Sequence, residues 1–266
     1  MAEMKTPPKA GPMIEFRGTG KSFGSLKVLE RLDLQVVQGE FLVLLGASGC
    51  GKSTMLNLVS GFERPTTGSV WVNGREVKDV DPACGMVFQQ YALFPWKTVR
   101  ENVEFGLKMR GVSRSERARV AQHYIEMVGL KGFEDSFPSK LSGGMKQRVS
   151  IARVLANDPD VMLFDEPFAA LDAMTRQVLQ EQLLQIYEKS GKTIIFITHS
   201  IDEALMLSTR MVVMGAKPGR VVQDIHNDLP HPRTAEVQLS SRYIELKRSI
   251  WETVQVEVMK GLEGVK

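Results

Sequence analysis

Phe41-Leu42-Val43-Leu44-Leu45-Gly46-Ala47-Ser48-Gly49-Cys50-Gly51-Lys52-Ser53-Thr54-Met55-Leu56-Asn57-Leu58-Val59-Ser60-Gly61 is the stretch on which the fold turns. The apolar run Phe41–Leu45 has the composition of a strand buried on both faces, and Met55 onward has the pattern of a helix. Between them stands G-x-x-x-x-G-K-[ST], with a strand before it and a helix after it. The glycines let the backbone curl, so that the N–H groups of Gly46, Ala47, Ser48, Gly49, Cys50, Gly51, Lys52, Ser53 and Thr54 can face phosphate oxygens. A helix starting near Lys52 adds its partial positive end. The spacing predicts that Lys52 reaches the β- and γ-phosphates of ATP and that the Ser53 hydroxyl is a ligand for Mg²⁺. Cys50, beside Lys52 and a helix N-terminus, is predicted to be a reactive thiol protected by nucleotide.

Working outward, Val161–Phe164, Ile194–Thr198 and Met211–Met214 repeat the apolar pattern, with helical sequence between them. Parallel strands covered by helices on both faces give this arrangement. Ile14–Gly39 alternates and carries glycine turns, which predicts an antiparallel flap. From Thr98 to Lys140 strand signals vanish, predicting an inserted helical subdomain over about 98–158. Tyr243, Leu246, Ile250, Val254 and Val258 recur at helical spacing and predict a C-terminal helix, over 241–266, packed on the core. Residues 1–13 read as a flexible tail with no leader-like run, leaving 14–240 as the main domain.

Downstream, the strand Val161–Phe164 ends in Asp165-Glu166. A carboxylate at the carboxyl end of a parallel strand lies beside the cradle, where Asp165 can hold Mg²⁺. Glu166, next to it, is placed to polarise an attacking water.

Composition narrows the alternatives. The balance of 34 basic against 31 acidic residues leaves a net charge of +3, which is not the one-sided basic field of a nucleic-acid binder. The most basic stretch, Lys108 to Arg119, reads as a solvated helix face. The two cysteines, Cys50 and Cys84, have no metal-ligand spacing and suit a reducing compartment. Runs such as Phe41–Leu45 are far short of the ~20 residues of a membrane span, so any membrane connection would come through a partner.

Leu141-Ser142-Gly143-Gly144-Met145-Lys146-Gln147-Arg148 resembles the signature motif of ABC ATPases, and stands upstream of Asp165-Glu166 as in that family. Ser142, Gly143 and Gly144 would form a second bare-backbone anion site at a helix start. Two phosphate sites far apart in one chain make sense if two copies face each other head to tail. The resemblance then implies further roles. Gln89 resembles the glutamine that senses Mg²⁺ and the attacking water. Ala170-Leu171-Asp172 resembles the loop that touches the partner subunit. His199 resembles the histidine that hydrogen-bonds the γ-phosphate, and Phe23 the aromatic that stacks on adenine.

The resemblance spans about Ile14 to Arg233 and implies a RecA-like P-loop α/β core with an antiparallel β subdomain and a helical subdomain. Its implied activity is ATP hydrolysis coupled to transmembrane transport. Val87-Phe88-Gln89 followed by Leu93-Phe94-Pro95-Trp96, together with Lys217-Pro218-Gly219-Arg220, is similar to importers for nitrate, sulfonates and taurine-like compounds. Ser200 stands where aspartate often follows the histidine, and Ala169 where glycine is common. The chain ends too soon for the regulatory domain of maltose-type subunits. The implied partners are a second copy, membrane permease subunits and, indirectly, a solute-binding protein, at the cytoplasmic face of the cell membrane. Part of Tyr91–Trp96 would line a groove for a short permease helix, the alternative being packing between the core and the helical subdomain. A soluble ABC ATPase acting on nucleic acid or ribosomes would need two cassettes or a coiled-coil insertion. A P-loop kinase would have no use for Glu166 and the signature motif.

Overall fold

The computed structural model describes residues 11–263. Its centre is a six-stranded sheet built from the apolar runs. β3 (Phe41–Gly46), β7 (Val161–Asp165), β8 (Thr193–Ile197) and β9 (Arg210–Gly215) pair in parallel, with β3 between β8 and β9. β6 (Cys84–Val87) extends the parallel set beyond β7, and β10 (Arg220–His226) closes the other edge antiparallel to β9. Every residue of β3, β7 and β8 is buried, which is why these strands read as unbroken runs of Val, Leu, Ile and Phe.

Alternate residues of β3 feed two separate cores. Phe41, Val43 and Leu45 pack with Phe164, Phe196 and the helices of one face, whereas Leu42 and Leu44 pack with Leu163, Ile195, Ile197 and the helix after the glycine loop. Each such side chain contributes roughly 1.5–3 kcal/mol when fully buried. The parallel set holds the carboxyl ends of β3, β6, β7 and β8 along one edge of the sheet, where ligands of open α/β sheets are bound.

The flap is a four-stranded antiparallel sheet of β1 (Ile14–Phe23), β2 (Leu26–Val36), β4 (Thr67–Val72) and β5 (Arg75–Glu76), in the order β2-β1-β4-β5. Its second half lies outside the expected 14–39 segment. The clue was Asn73-Gly74, whose positive φ values of 49° and 71° make the tight turn between β4 and β5. Residues 1–10 of the expected tail lie outside the described residues. Met13 belongs to the flap instead: its side chain is buried and its N–H donates to Val36 O.

Within residues 98–158 lie α2 (Val99–Met109), α3 (Arg114–Met127) and α4 (Gly143–Ala156). Thr98 and Glu101 form a reciprocal capping box that starts α2. Asn102, fully buried, accepts from Phe94 N–H and donates to Phe94, Lys97 and Thr98 carbonyls, which fixes the loop before the helix. The basic stretch is not one solvated face. It is divided between α2 and α3, and Arg117 is paired with Glu104 at 2.9 Å in a largely buried contact.

α5 (Ala173–Ser190), α6 (Ile201–Leu207) and α7 (Ser241–Glu263) share the core of the helical subdomain, whereas α1 (Lys52–Ser60) packs in the other core with the flap. Tyr243, Leu246 and Ile250 of α7 are buried as expected, and Val254 is half-buried. Val258 departs from the stripe and is exposed. Glu257 takes the inner position, paired with Arg220 of β10 at 3.2 Å and with Lys260 at 2.8 Å. The helix end therefore docks by charge rather than by apolar burial. No helix among the described residues is long and apolar enough to cross a membrane.

Candidate functional site

Gly46 ends β3 with φ +149°, and a Cβ there would stand 2.5 Å from Met214 O. Gly51 precedes α1 with φ +91°, and a Cβ there would stand 2.4 Å from Leu29 Cδ2. Only glycine passes between these walls, so the loop is held tight at both ends. No side chain caps α1, which leaves its first amides for an anion. Lys52 is buried, and its Nζ donates to Gly46 O at 2.9 Å and Ala47 O at 3.0 Å without an ion pair among the described residues. A buried cation without a counter-charge is costly. Phosphate oxygens would supply the missing charge.

Cys50 corrects its sequence reading. Its side chain is fully buried among the apolar residues beneath the loop, and its Sγ would lie 3.0 Å from a Cβ at Gly46. The thiol is closed off from solvent, and Lys52 Nζ lies 3.6 Å from its Sγ.

Ser53 Oγ donates to Asp165 Oδ1 at 3.1 Å, bringing together the two residues expected to hold magnesium. Burial pushes the Asp165 carboxyl up; the Ser53 bond opposes this, and the charge of Glu166 adds to it. A hydroxyl beside two adjacent carboxylates is a set of hard oxygen donors that suits Mg²⁺.

Glu166 has φ +47°, a left-handed conformation that a non-glycine residue adopts at a cost on the order of 1–3 kcal/mol. The turn is held by Glu166 N–H donating to Ile197 O at 3.2 Å. It brings the carboxylate between two neighbours: Oε1 lies 2.6 Å from His199 Nε2, and Oε2 lies 3.4 Å from Gln89 Nε2. Gln89 follows β6, Glu166 follows β7 and His199 follows β8, so three strand ends converge on one carboxylate.

Other expected residues stand apart from this cluster. Ser142 caps α4, accepting from Met145 N–H at 3.3 Å, and no hydrogen bond among the described residues joins Ser142–Gly144 to the cradle or Glu166. A Cβ on Gly143 would stand 2.8 Å from the Tyr91 hydroxyl, and one on Gly144 would stand 3.2 Å from Leu171 Cδ2. Asp172 caps α5 through Thr175 N–H at 3.0 Å, and that bond holds its carboxyl below the usual range. Phe23 ends β1 and is 45% exposed, with Lys21 Nζ 4.6 Å from its ring centroid. In the loop after Gln89, Phe94 stacks on Phe105 at 4.5 Å, whereas Trp96 is 70% exposed.

The sequence reading missed Glu203. Ser200-x-x-Glu203 has capping-box spacing, but only half of the box forms: Glu203 N–H donates to Ser200 Oγ at 3.2 Å. The carboxylate turns inward to Thr198 instead, at 2.5 Å.

The family model described as ABC transporter matches residues 29–169. The chain is 50% identical to a taurine import ATP-binding protein of Jannaschia sp., over 91% of this chain and 92% of that protein. It is 48% identical to an uncharacterized ABC transporter ATP-binding protein of Methanocaldococcus jannaschii, over 94% of this chain and 91% of that protein. It is 43% identical to an aliphatic sulfonates import ATP-binding protein of Bacillus cereus, over 86% and 89% respectively. Among solved structures it is similar to a dimeric ATP-binding cassette in a post-hydrolysis state with ADP and Pi, with a TM-score of 0.72 and 34% identity. That match covers 80% of this chain and 98% of the cassette. With the phosphate cradle at one edge of the sheet and the acid cluster beside it, these likenesses show that the chain belongs to the ABC transporter family as an ATP-binding, ATP-hydrolysing subunit.

Proposed function

We propose that the chain energises import of a small sulfonate- or taurine-like solute, as one of two ATP-hydrolysing subunits paired head to tail on membrane permease subunits. The observation that carries the hydrolytic part is the Glu166 carboxylate, held between Gln89 and His199 and beside the Ser53–Asp165 pair. In this reading Phe23 stacks on adenine, the amides of Gly46–Thr54 and Lys52 hold the phosphates, and Ser53, Asp165 and Gln89 hold Mg²⁺. When bound, Mg²⁺ neutralises charge on the phosphate oxygens. Glu166 takes a proton from water as its oxygen bonds to the γ-phosphorus and the bond to the ADP oxygen breaks. His199 donates to the γ-phosphate.

Among the described residues, Ser142–Gly144 and Asp172 make no hydrogen bond to this cradle, which suits completion of the site by a second copy. The similar cassette is dimeric, which supports pairing with a second copy. Closure of such a composite site on ATP gives a motion that permeases can use. The import direction and the solute class rest on the relatives named for taurine and aliphatic sulfonates. The permease partners place the subunit at the cytoplasmic face of the membrane, and a solute-binding protein acts on the far side. Complementation tests the pairing: Lys52→Ala and Ser142→Arg subunits, each inactive alone, should regain activity when mixed. Absence of rescue, with both mutants folded and able to associate, would exclude the head-to-tail arrangement.

A further inference from the structure

Glu203 has no assigned task in hydrolysis, yet it is a buried carboxylate four residues after His199. It lies in the first turn of α6, 8% exposed, and its surroundings tie it to both neighbours of His199. The Thr198 hydroxyl donates to Glu203 Oε2 at 2.5 Å and itself accepts from Ser200 N–H at 3.0 Å. Ser200 Oγ accepts from Glu203 N–H at 3.2 Å. From α5, Gln180 Nε2 donates to Glu203 Oε1 at 3.0 Å, and Arg176 Nε stands 3.8 Å from the same oxygen. The corner from β8 to α6 is thus clamped on either side of His199, while the imidazole itself is 44% exposed and has the Glu166 carboxylate as its contact.

A carboxylate desolvated to this degree is unfavourable unless its hydrogen bonds are met. Here both oxygens are met, and every bond runs to the His199 corner or to α5, so the cost supports the placement of one exposed ring. A ring on a short corner needs such support, because a displacement of about 1 Å at a catalytic contact can cost on the order of a hundredfold in rate. We propose that Glu203 is a positioning residue for hydrolysis, acting through Thr198 and Ser200 to aim His199 at Glu166 and the γ-phosphate. The inference rests on the reading of His199 given above.

The test uses the full chain and three variants: Glu203→Ala, Glu203→Gln and Thr198→Val. Glu203→Ala should lower kcat roughly tenfold to a hundredfold, with KM for ATP within about twofold of wild type. Glu203→Gln, which keeps an acceptor for Thr198, should recover most of the rate. Thr198→Val should lower kcat similarly, and combining it with Glu203→Ala should add little, since both break one link. The chain has four histidines, so the His199 ring resonance is assigned by its loss in His199→Ala. In Glu203→Ala that resonance should move while those of His123, His226 and His231 stay. An unmoved His199 signal, or a fall in rate that Glu203→Gln fails to reverse in a folded protein, overturns the proposal. If His199→Ala itself hydrolyses at the wild-type rate, the reading of His199 fails first and the proposal falls with it. If Glu203→Ala does not fold, Thr198→Val and Glu203→Gln still decide between these outcomes.

Discussion

The Glu166 carboxylate lies 2.6 Å from His199 Nε2, and that contact joins the ends of two neighbouring parallel strands. Gln89 reaches the other oxygen at 3.4 Å from a third strand end. Three residues distant in sequence meet because β6, β7 and β8 run in register side by side. The left-handed backbone at Glu166 brings its carboxylate to these partners.

This arrangement predicts unequal losses. His199→Ala removes a donor to the γ-phosphate and should lower kcat roughly a hundredfold. Gln89→Ala removes a longer contact and should lower it about tenfold. Nucleotide binding, followed with a fluorescent ATP analogue, should persist in both, because neither residue belongs to the cradle. Loss of binding in either would move that residue into the cradle.

The loop glycines should differ in cost. Gly46→Ala places a Cβ 2.5 Å from Met214 O, whereas Gly49→Ala, at φ +78°, meets open space. Gly49→Ala should cost about 1 kcal/mol from backbone strain alone, and Gly46→Ala about 1–3 kcal/mol more from overpacking. Thermal melting reads this directly as a larger drop in Tm for Gly46→Ala. An equal drop for both would mean that the Met214 wall gives way.

Both thiols should be silent in the native protein. Cys50 is fully buried, and burial pushes the Cys84 thiol up to about 12. At pH 7.5 the Cys84 thiolate would be well under about 0.1% of the total, too little for brisk reaction. Maleimide should label neither cysteine within minutes and both in urea, without ATP-protected inactivation. Rapid labelling of Cys50 in the folded protein would contradict its placement.

Much of this was legible in the sequence, and the exceptions have physical reasons. The continuous apolar strands declared themselves because both their faces are buried, and the phosphate loop because glycine spacing answers to backbone geometry. The second half of the flap was missed because β5 is only two residues long and β4 follows α1, far in sequence from the strand it joins. Val258 fell off its helical stripe because an arginine on β10 draws Glu257 inward. Cys50 does stand beside Lys52 as its spacing implied, but local spacing does not tell that its side chain is fully buried. Glu203 stayed hidden because its capping-box spacing promised a local partner, and the fold offered Thr198 instead.

The loop after Gln89 divides into a packed part and an exposed part. Phe94 stacks on Phe105 at 4.5 Å and Trp96 at 5.8 Å, so Phe94→Ala should lower Tm. Trp96, 70% exposed, should be replaceable by alanine with Tm and basal ATPase unchanged, while co-purification with permease subunits is lost. If Trp96→Ala retains its permease partners, the docking surface lies elsewhere.

The central claim, that Glu166 is the base of hydrolysis, is tested most directly by turnover of Glu166→Gln at saturating MgATP. The amide keeps the shape and can still meet Gln89 and His199, but it takes no proton from water. The account predicts a fall in kcat of roughly 10²–10⁴-fold, with ATP bound at near wild-type affinity and a dimer that persists on gel filtration. Turnover within a few-fold of wild type, in a protein that still binds ATP, would contradict it.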